Sequence, residues 1–74
     1  MILFSKRLKE KRKELGFTQK QLGEKVGVTK VSICCYENGT RTPTLDTLVD
    51  LANALQVELP YLLGVDYFVV AEDE

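Results

Sequence analysis

Hydrogen-bonding and cationic side chains cluster between residues 29 and 41, and their types favour binding over bond-breaking chemistry. Hydroxyl, amide, ammonium and guanidinium groups can all donate to the oxygen and nitrogen acceptors of a partner. The cluster consists of Thr29, Lys30, Ser32, Asn38, Thr40 and Arg41. The chain has no histidine, no carboxylate pair at a recognisable catalytic spacing and no phosphate-cradling glycine loop. We therefore expect no enzymatic activity.

Two short helices joined by a tight turn must position this cluster. Thr18 is a good N-cap, and Gln21 three residues later completes a capping box, so a helix should begin after Thr18. Gly27 can adopt the left-handed conformation that ends this helix. Thr29 is the next N-cap, for a second helix that runs to Asn38. The intervening turn of about three residues has the length of a helix-turn-helix connection.

The inward faces of these two helices follow from apolar spacing. Leu22 and Val26 lie four residues apart on one face, and Gly23 beside them leaves room for a neighbouring helix. Ile33 and Tyr36 are three residues apart and should face the core. The cationic and hydroxyl groups of the second helix then face outward.

Three further helices complete an expected all-α, five-helix fold. The inward stripe of the first helix, over about residues 4–15, is predicted to be Phe4, Leu8, Arg12 and Leu15. The stripe of the fourth helix, with Thr44 as its N-cap, is predicted to be Leu45, Leu48, Ala52 and Leu55, widened by Val49 and Leu51. Pro60 lies in the first turn of the fifth helix, which should end at Gly64.

The motif resembles the Cro and phage-repressor type of helix-turn-helix family, often called Xre-like. The matching residues are Thr18-Gln19, Leu22-Gly23, Val26-Gly27-Val28-Thr29, Ser32-Ile33 and Glu37-Asn38-Gly39. The resemblance covers roughly residues 4–64. It implies a compact repressor-like DNA-binding domain over residues 1–64, with the second motif helix in the major groove.

The resemblance also offers a partner for Arg12, which lies on an apolar stripe. A buried arginine is tolerable only when its charge is paired. Glu37, at the end of the second motif helix, is the partner that the resemblance implies, and we predict a salt bridge between the two. The alternative is that Arg12 points to solvent or to a phosphate.

The base-facing positions implied by the resemblance are Lys30, Val31 and Cys35, with Thr29 beside them. Lys30 can reach guanine O6 and N7, and Val31 can contact a thymine methyl group. Cys35 offers only a weak and mostly apolar contact. Because these positions hold no Arg, Asn or Gln, we expect modest base discrimination and a larger contribution from DNA shape.

Contacts to phosphate are expected at both ends of the motif. Gln19 lies at the N-terminus of the first motif helix, where its amide and nearby N–H groups can meet a phosphate. Asn38, Thr40 and Arg41 lie just past the second helix and can hold another. Ser32 can bond a base edge or a phosphate.

The net charge of −1 conceals a strongly basic half. All ten Lys and Arg residues precede residue 42, so residues 1–41 carry +6 and residues 42–74 carry −7. Phosphate binding depends on the local patch, so the basic half that contains the motif is the expected footprint. The alternative for residues 6–13 is a solvated charged face.

The two cysteines, Cys34 and Cys35, are adjacent. With no histidine, they predict neither a zinc site nor a disulfide framework, and we expect no cofactor and no small-molecule ligand. They are typical of packing residues in a reducing compartment, although oxidation of a groove-facing thiol is an alternative. The apolar run over residues 1–4 is too short for a signal peptide or a membrane span, so we expect a cytoplasmic protein without membrane contact.

Residues 65–74 are expected to form a short C-terminal extended arm. The run from Val65 to Val70 is rich in β-branched and aromatic residues and predicts a strand, followed by an acidic tail. The strand could pair with that of a second subunit, cap its own core, or lead to a further domain.

We therefore predict a transcriptional regulator, a repressor, that binds duplex DNA at a pseudo-palindromic operator as a homodimer. The alternatives are a protein-interaction module and the antitoxin of a toxin–antitoxin pair.

Overall fold

A computed structural model of the protein describes residues 2–65, and over this range it is all-α. Its five helices are α1 (Ile2–Glu14), α2 (Gln19–Val26), α3 (Lys30–Asn38), α4 (Leu45–Leu55) and α5 (Leu59–Leu63). The expected fold class is confirmed. No helix within these residues is both long and apolar enough to cross a membrane. The predicted strand and acidic tail, apart from Val65, lie outside the described residues.

Local capping accounts for the boundaries of α2 and α3. The backbone N–H of Gln21 donates to Thr18 Oγ1 at 3.0 Å, and the Gln21 side chain accepts from the Thr18 N–H at 2.9 Å. Thr29 caps α3 in the same way, accepting from the Ser32 N–H at 3.1 Å. Gly27 ends α2 at a φ of 77°, which glycine adopts without a steric penalty. The predicted capping box and caps are confirmed.

The turn between α2 and α3 requires a close backbone approach at Gly23. The Val28 N–H donates to the Gly23 carbonyl at 2.9 Å. A Cβ at Gly23 would lie 2.7 Å from the Val28 carbonyl oxygen and 3.2 Å from Thr29 backbone atoms. These distances explain why a residue without a side chain occupies the middle of α2.

All five helices contribute to one apolar core, and α2 and α3 share the most extensive contact between helices. The buried apolar side chains are Phe4, Leu8, Leu22, Ile33, Tyr36, Leu48, Leu51, Ala52, Leu55 and Leu62. Burial of apolar surface on this scale is the main term that stabilises a small domain. Helix α3 contributes its inner face, with Ile33 and Tyr36, to this core.

Three predicted core positions are wrong. Leu15 is 39% exposed, Leu45 is 67% exposed and Val49 is 41% exposed. Helix α1 ends at Glu14, so Leu15 lies in the turn that leads to Gly16 and leaves the apolar stripe. Leu45 is the first residue of α4, one turn before Leu48, and the described part of the chain leaves it uncovered.

The connection from α4 to α5 contains two weak caps. Gln56 ends α4 in the left-handed conformation, with φ 60° and ψ 41°, although it carries a side chain. Glu58 stands at the N-cap of α5 and makes no capping hydrogen bond with its side chain. Gly64 ends α5 at a φ of 78°, as predicted.

Candidate nucleic-acid interface

Helix α3 has one buried and one exposed face. Ile33 and Tyr36 are 0% and 6% exposed, as their spacing predicts. Lys30 and Cys34, one turn apart, are exposed, and Val31 beside them is 63% exposed. We call Lys30, Val31 and Cys34 the exposed row of α3. Since the buried side chains fix the rotation of the helix about its axis, this exposed row has a defined orientation.

The two cysteines differ in exposure. Cys34 is exposed, whereas Cys35 is half-buried. Cys35 is the base-facing position that the family resemblance implies. Cys34 lies between Lys30 and Asn38 at four-residue intervals, in the middle of the exposed side of α3.

A chain of hydroxyl contacts links the start of α3 to the turn after it. Thr29 Oγ1 donates to Ser32 Oγ at 3.1 Å, and Arg41 Nη1 donates to the same oxygen at 3.0 Å. The Ser32 oxygen thus has both lone pairs occupied while its own proton is free to donate. Ser32 is therefore both a support for Arg41 and a group that can donate to a phosphate.

Asn38 shapes the turn that follows α3. Its Oδ1 accepts from Thr40 N at 3.2 Å and from Thr40 Oγ1 at 2.8 Å. Its Nδ2 approaches Cys34 Sγ at 3.9 Å. The side-chain oxygen of Asn38 is therefore occupied by hydrogen bonds within the protein, and its side-chain NH₂ group is the part that can donate to a partner.

An ion pair between Arg12 and Glu37 fastens α1 to the end of α3. Arg12 Nε donates to Glu37 Oε2 at 2.5 Å and Arg12 Nη2 donates to Oε1 at 3.1 Å. Arg12 Nη1 donates to the Phe17 carbonyl at 2.8 Å. The two charged side chains are 9% and 4% exposed. Arg12 therefore faces the core, and the alternative in which it points to solvent or phosphate is wrong.

The same carboxylate orients Gln19 at the N-terminus of α2. Gln19 Nε2 donates to Glu37 Oε1 at 3.1 Å. The amide oxygen and the second amide proton of Gln19 remain available for a partner. Gln19 and Glu37 are 18 positions apart in the sequence, which explains why no local pattern revealed this contact.

The predicted site residues lie in two parts of the motif, along α3 with its flanking turns and at the start of α2. Along α3 and the turn after it lie Thr29, Lys30, Val31, Ser32, Cys35, Asn38, Thr40 and Arg41. Gln19 joins them through Glu37. Within residues 2–65, no group of three metal-ligating side chains is placed to hold a metal ion.

Comparisons with known proteins agree with this geometry. A family model described as helix-turn-helix matches residues 8–62. The chain is 41% identical over 73 residues to the uncharacterized HTH-type transcriptional regulator YqaE of Bacillus subtilis, covering 97% of this chain and 63% of YqaE. It is 44% identical over 61 residues to the HTH-type transcriptional regulator ImmR of the same organism, covering 82% of this chain and 48% of ImmR. The chain thus spans about half to two thirds of the length of these relatives.

A solved structure shares the arrangement of the helices. The c2 repressor of phage P22, crystallised with a synthetic operator, superposes with a TM-score of 0.79 at 37% identity. The match covers 81% of this chain and 91% of that chain. The matched family model spans all of α2, α3 and α4, which are the helices of the motif and the helix that follows it. This chain belongs to the Xre-like helix-turn-helix family.

Proposed function

We propose that this protein is a DNA-binding transcriptional regulator that acts as a repressor by inserting α3 into the major groove. The observation that carries the proposal is the exposed row on α3, held in orientation by its buried face and flanked by groups that can bind phosphate. An α-helix fits the major groove, where base edges can be read. The likeness to the P22 c2 repressor, which was crystallised with an operator, supports it.

Base reading is assigned to the exposed residues of the first turns of α3. Lys30 is exposed and forms no ion pair within residues 2–65, so its ammonium group can reach guanine O6 and N7. Val31 offers an apolar surface to a thymine methyl group. Thr29 already donates its proton to Ser32 and can only accept from a base edge. Cys35, being half-buried, contributes the least.

Anchoring to the backbone is assigned to both ends of the motif. Gln19 keeps an amide proton free and lies at the N-terminus of α2, where backbone N–H groups and the helix dipole favour an anion. Arg41 is held against Ser32 by a hydrogen bond, which lowers the entropy lost when it binds a phosphate. Asn38 and Thr40 shape the turn that presents Arg41.

We further propose that two copies bind a pseudo-palindromic operator. A homodimer places two α3 helices about 34 Å apart, one turn of DNA, so each half-site meets one helix. If about six phosphates are neutralised per dimer, the log–log salt slope of the binding constant is near −5. We propose that residues 65–74 contribute to this dimer. Measuring the mass in solution with and without these residues tests that contribution, and a dimer that stays intact after truncation contradicts it.

The test uses wild-type protein and Lys30→Ala. Duplexes that bind wild type are first selected from a random-sequence pool, and affinity for the selected and a scrambled duplex is then measured over a salt series. We expect a steep salt dependence for both duplexes and a preference for the selected one that is reduced in Lys30→Ala, with one bidentate contact worth about 1–3 kcal/mol. Absence of binding at low salt refutes DNA recognition and favours a protein-interaction module.

A further inference from the structure

A cleft separates the first turns of α1 from the turn after α3. Its volume is about 380 Å³, and its walls include Ser5, Lys6, Arg41 and Thr42. Ser5 Oγ donates to the Tyr36 carbonyl at 2.7 Å, which ties α1 to the last turn of α3. The cleft therefore lies beside the end of the helix that we assign to the major groove.

The walls of this cleft carry donors that have no acceptor within residues 2–65. Lys6 forms no ion pair there, and the backbone N–H groups of Arg41 and Thr42 donate no hydrogen bond. Glu37 also lines the cleft, but the charge of its carboxylate is compensated by Arg12. The residues that line this one space thus include the cations Lys6 and Arg41 and supply two free backbone N–H groups, which is an environment suited to an anion.

The cationic surface continues along α1 through Lys9. This residue lies four positions after Ser5 and three before Arg12, and both of those side chains contact the last turn of α3. Residues three or four apart share a helix face, so Lys9 lies on the same side of α1. Lys9 is nevertheless exposed. Lys6 and Lys9 are about 4.5 Å apart along the helix axis.

We propose that this cleft and the adjoining edge of α1 bind the phosphodiester backbone of the duplex, as an anchoring surface outside the helix-turn-helix. This inference rests on the proposed function. Lys6 lies at the cleft and Lys9 lies beyond it on α1, so the cations are spread along the helix. Such an arrangement suits a polyanion better than a single small anion, because successive phosphates of a strand can each contact a separate lysine. Lys6 and Lys9 are the two residues of α1 that make these contacts.

The experiment compares Lys6→Gln, Lys9→Gln and the double variant with Lys25→Gln as a matched control. Each single variant removes one positive charge. Lys25 lies near the end of α2 with its Nζ 5.6 Å from the centre of the Phe17 ring, away from the cleft. Affinity for the selected and the scrambled duplex is measured over a salt series, and thermal melting verifies that each variant is folded.

We expect each α1 variant to reduce the magnitude of the salt slope by about 0.9 per protomer, and the double variant by about 1.8. At about 0.1 M salt, the loss of one such contact lowers affinity about eightfold. The loss should be equal for both duplexes, because phosphate contacts carry no sequence information. Lys25→Gln should retain the wild-type slope.

Three outcomes overturn the proposal, and they are distinguishable. If wild type binds but the α1 variants match Lys25→Gln, the anchoring surface is wrong and the proposed function stands. If wild type binds neither duplex at low salt, the proposed function fails and the surface with it. A loss confined to the selected duplex also contradicts the proposal, since it would make Lys6 or Lys9 a base contact.

Discussion

Replacing Arg12 with methionine tests the energetic role of the buried ion pair. The substitution keeps most of the apolar stem and removes the guanidinium, which leaves the Glu37 carboxylate, 4% exposed, with the Gln19 amide as its one remaining partner within residues 2–65. An uncompensated charge in so dry a site costs about 3–5 kcal/mol. A 74-residue domain has a total stability of about 4–11 kcal/mol. Arg12→Met should therefore lose about half of the free energy of unfolding.

Equilibrium unfolding in urea, followed by circular dichroism, measures this loss as a shift in the midpoint at constant m-value. The double variant Arg12→Met/Glu37→Leu should recover much of it, because removing both charges leaves neither unpaired. Lys11→Met is the matched control. It breaks the exposed pair with Glu14, whose atoms are 3.0 Å apart with side-chain exposures of 28% and 64%, and it should cost at most about 0.5 kcal/mol.

Two results would refute the reasoning. A loss below about 1 kcal/mol in Arg12→Met would mean that water screens Glu37 despite its burial. A double variant as unstable as the sum of the two single variants would mean that the pair has no coupling, and that packing of the stems accounts for the effect.

Three further substitutions test the backbone arguments, with the unfolding free energy as the measurement. Gln56→Gly should stabilise the protein by about 1 kcal/mol, because glycine removes the cost of the left-handed conformation at φ 60°; a loss of stability contradicts this. Glu58→Ser should add about 0.5–1 kcal/mol by supplying the missing cap of α5, and an unchanged midpoint counts against it. Gly23→Ala should cost about 1–3 kcal/mol, since its Cβ meets the Val28 carbonyl at 2.7 Å; the gain usual for alanine in a helix is the opposing result.

The local features of the motif were predictable because their physics spans few residues. The caps at Thr18 and Thr29 depend on a hydrogen bond to a backbone N–H three residues along. Gly27 and Gly64 end helices through their own φ angles. Spacing alone placed Ile33 in the core. Each of these features is encoded within one helical turn and requires no knowledge of the rest of the fold.

The Arg12–Glu37 pair depended on two kinds of information. Apolar spacing showed that Arg12 lies on the inward stripe and needs a partner. The resemblance to a family, and no property of the intervening residues, suggested Glu37. The structure contains the contact, and it adds the Phe17 carbonyl as a second acceptor.

The sequence by itself determined the all-α fold, the motif and the basic character of residues 1–41, because caps, periodicity and charge are local properties. Only the tertiary structure decided which donors remain free. Contacts across nine to thirty-one residues engage Arg41 with Ser32, Gln19 with Glu37 and Ser5 with Tyr36. The packing of the helices also leaves Leu45 exposed and forms the cleft beside Lys6. Such contacts depend on how the helices pack against one another, a relation that no single segment of the chain contains.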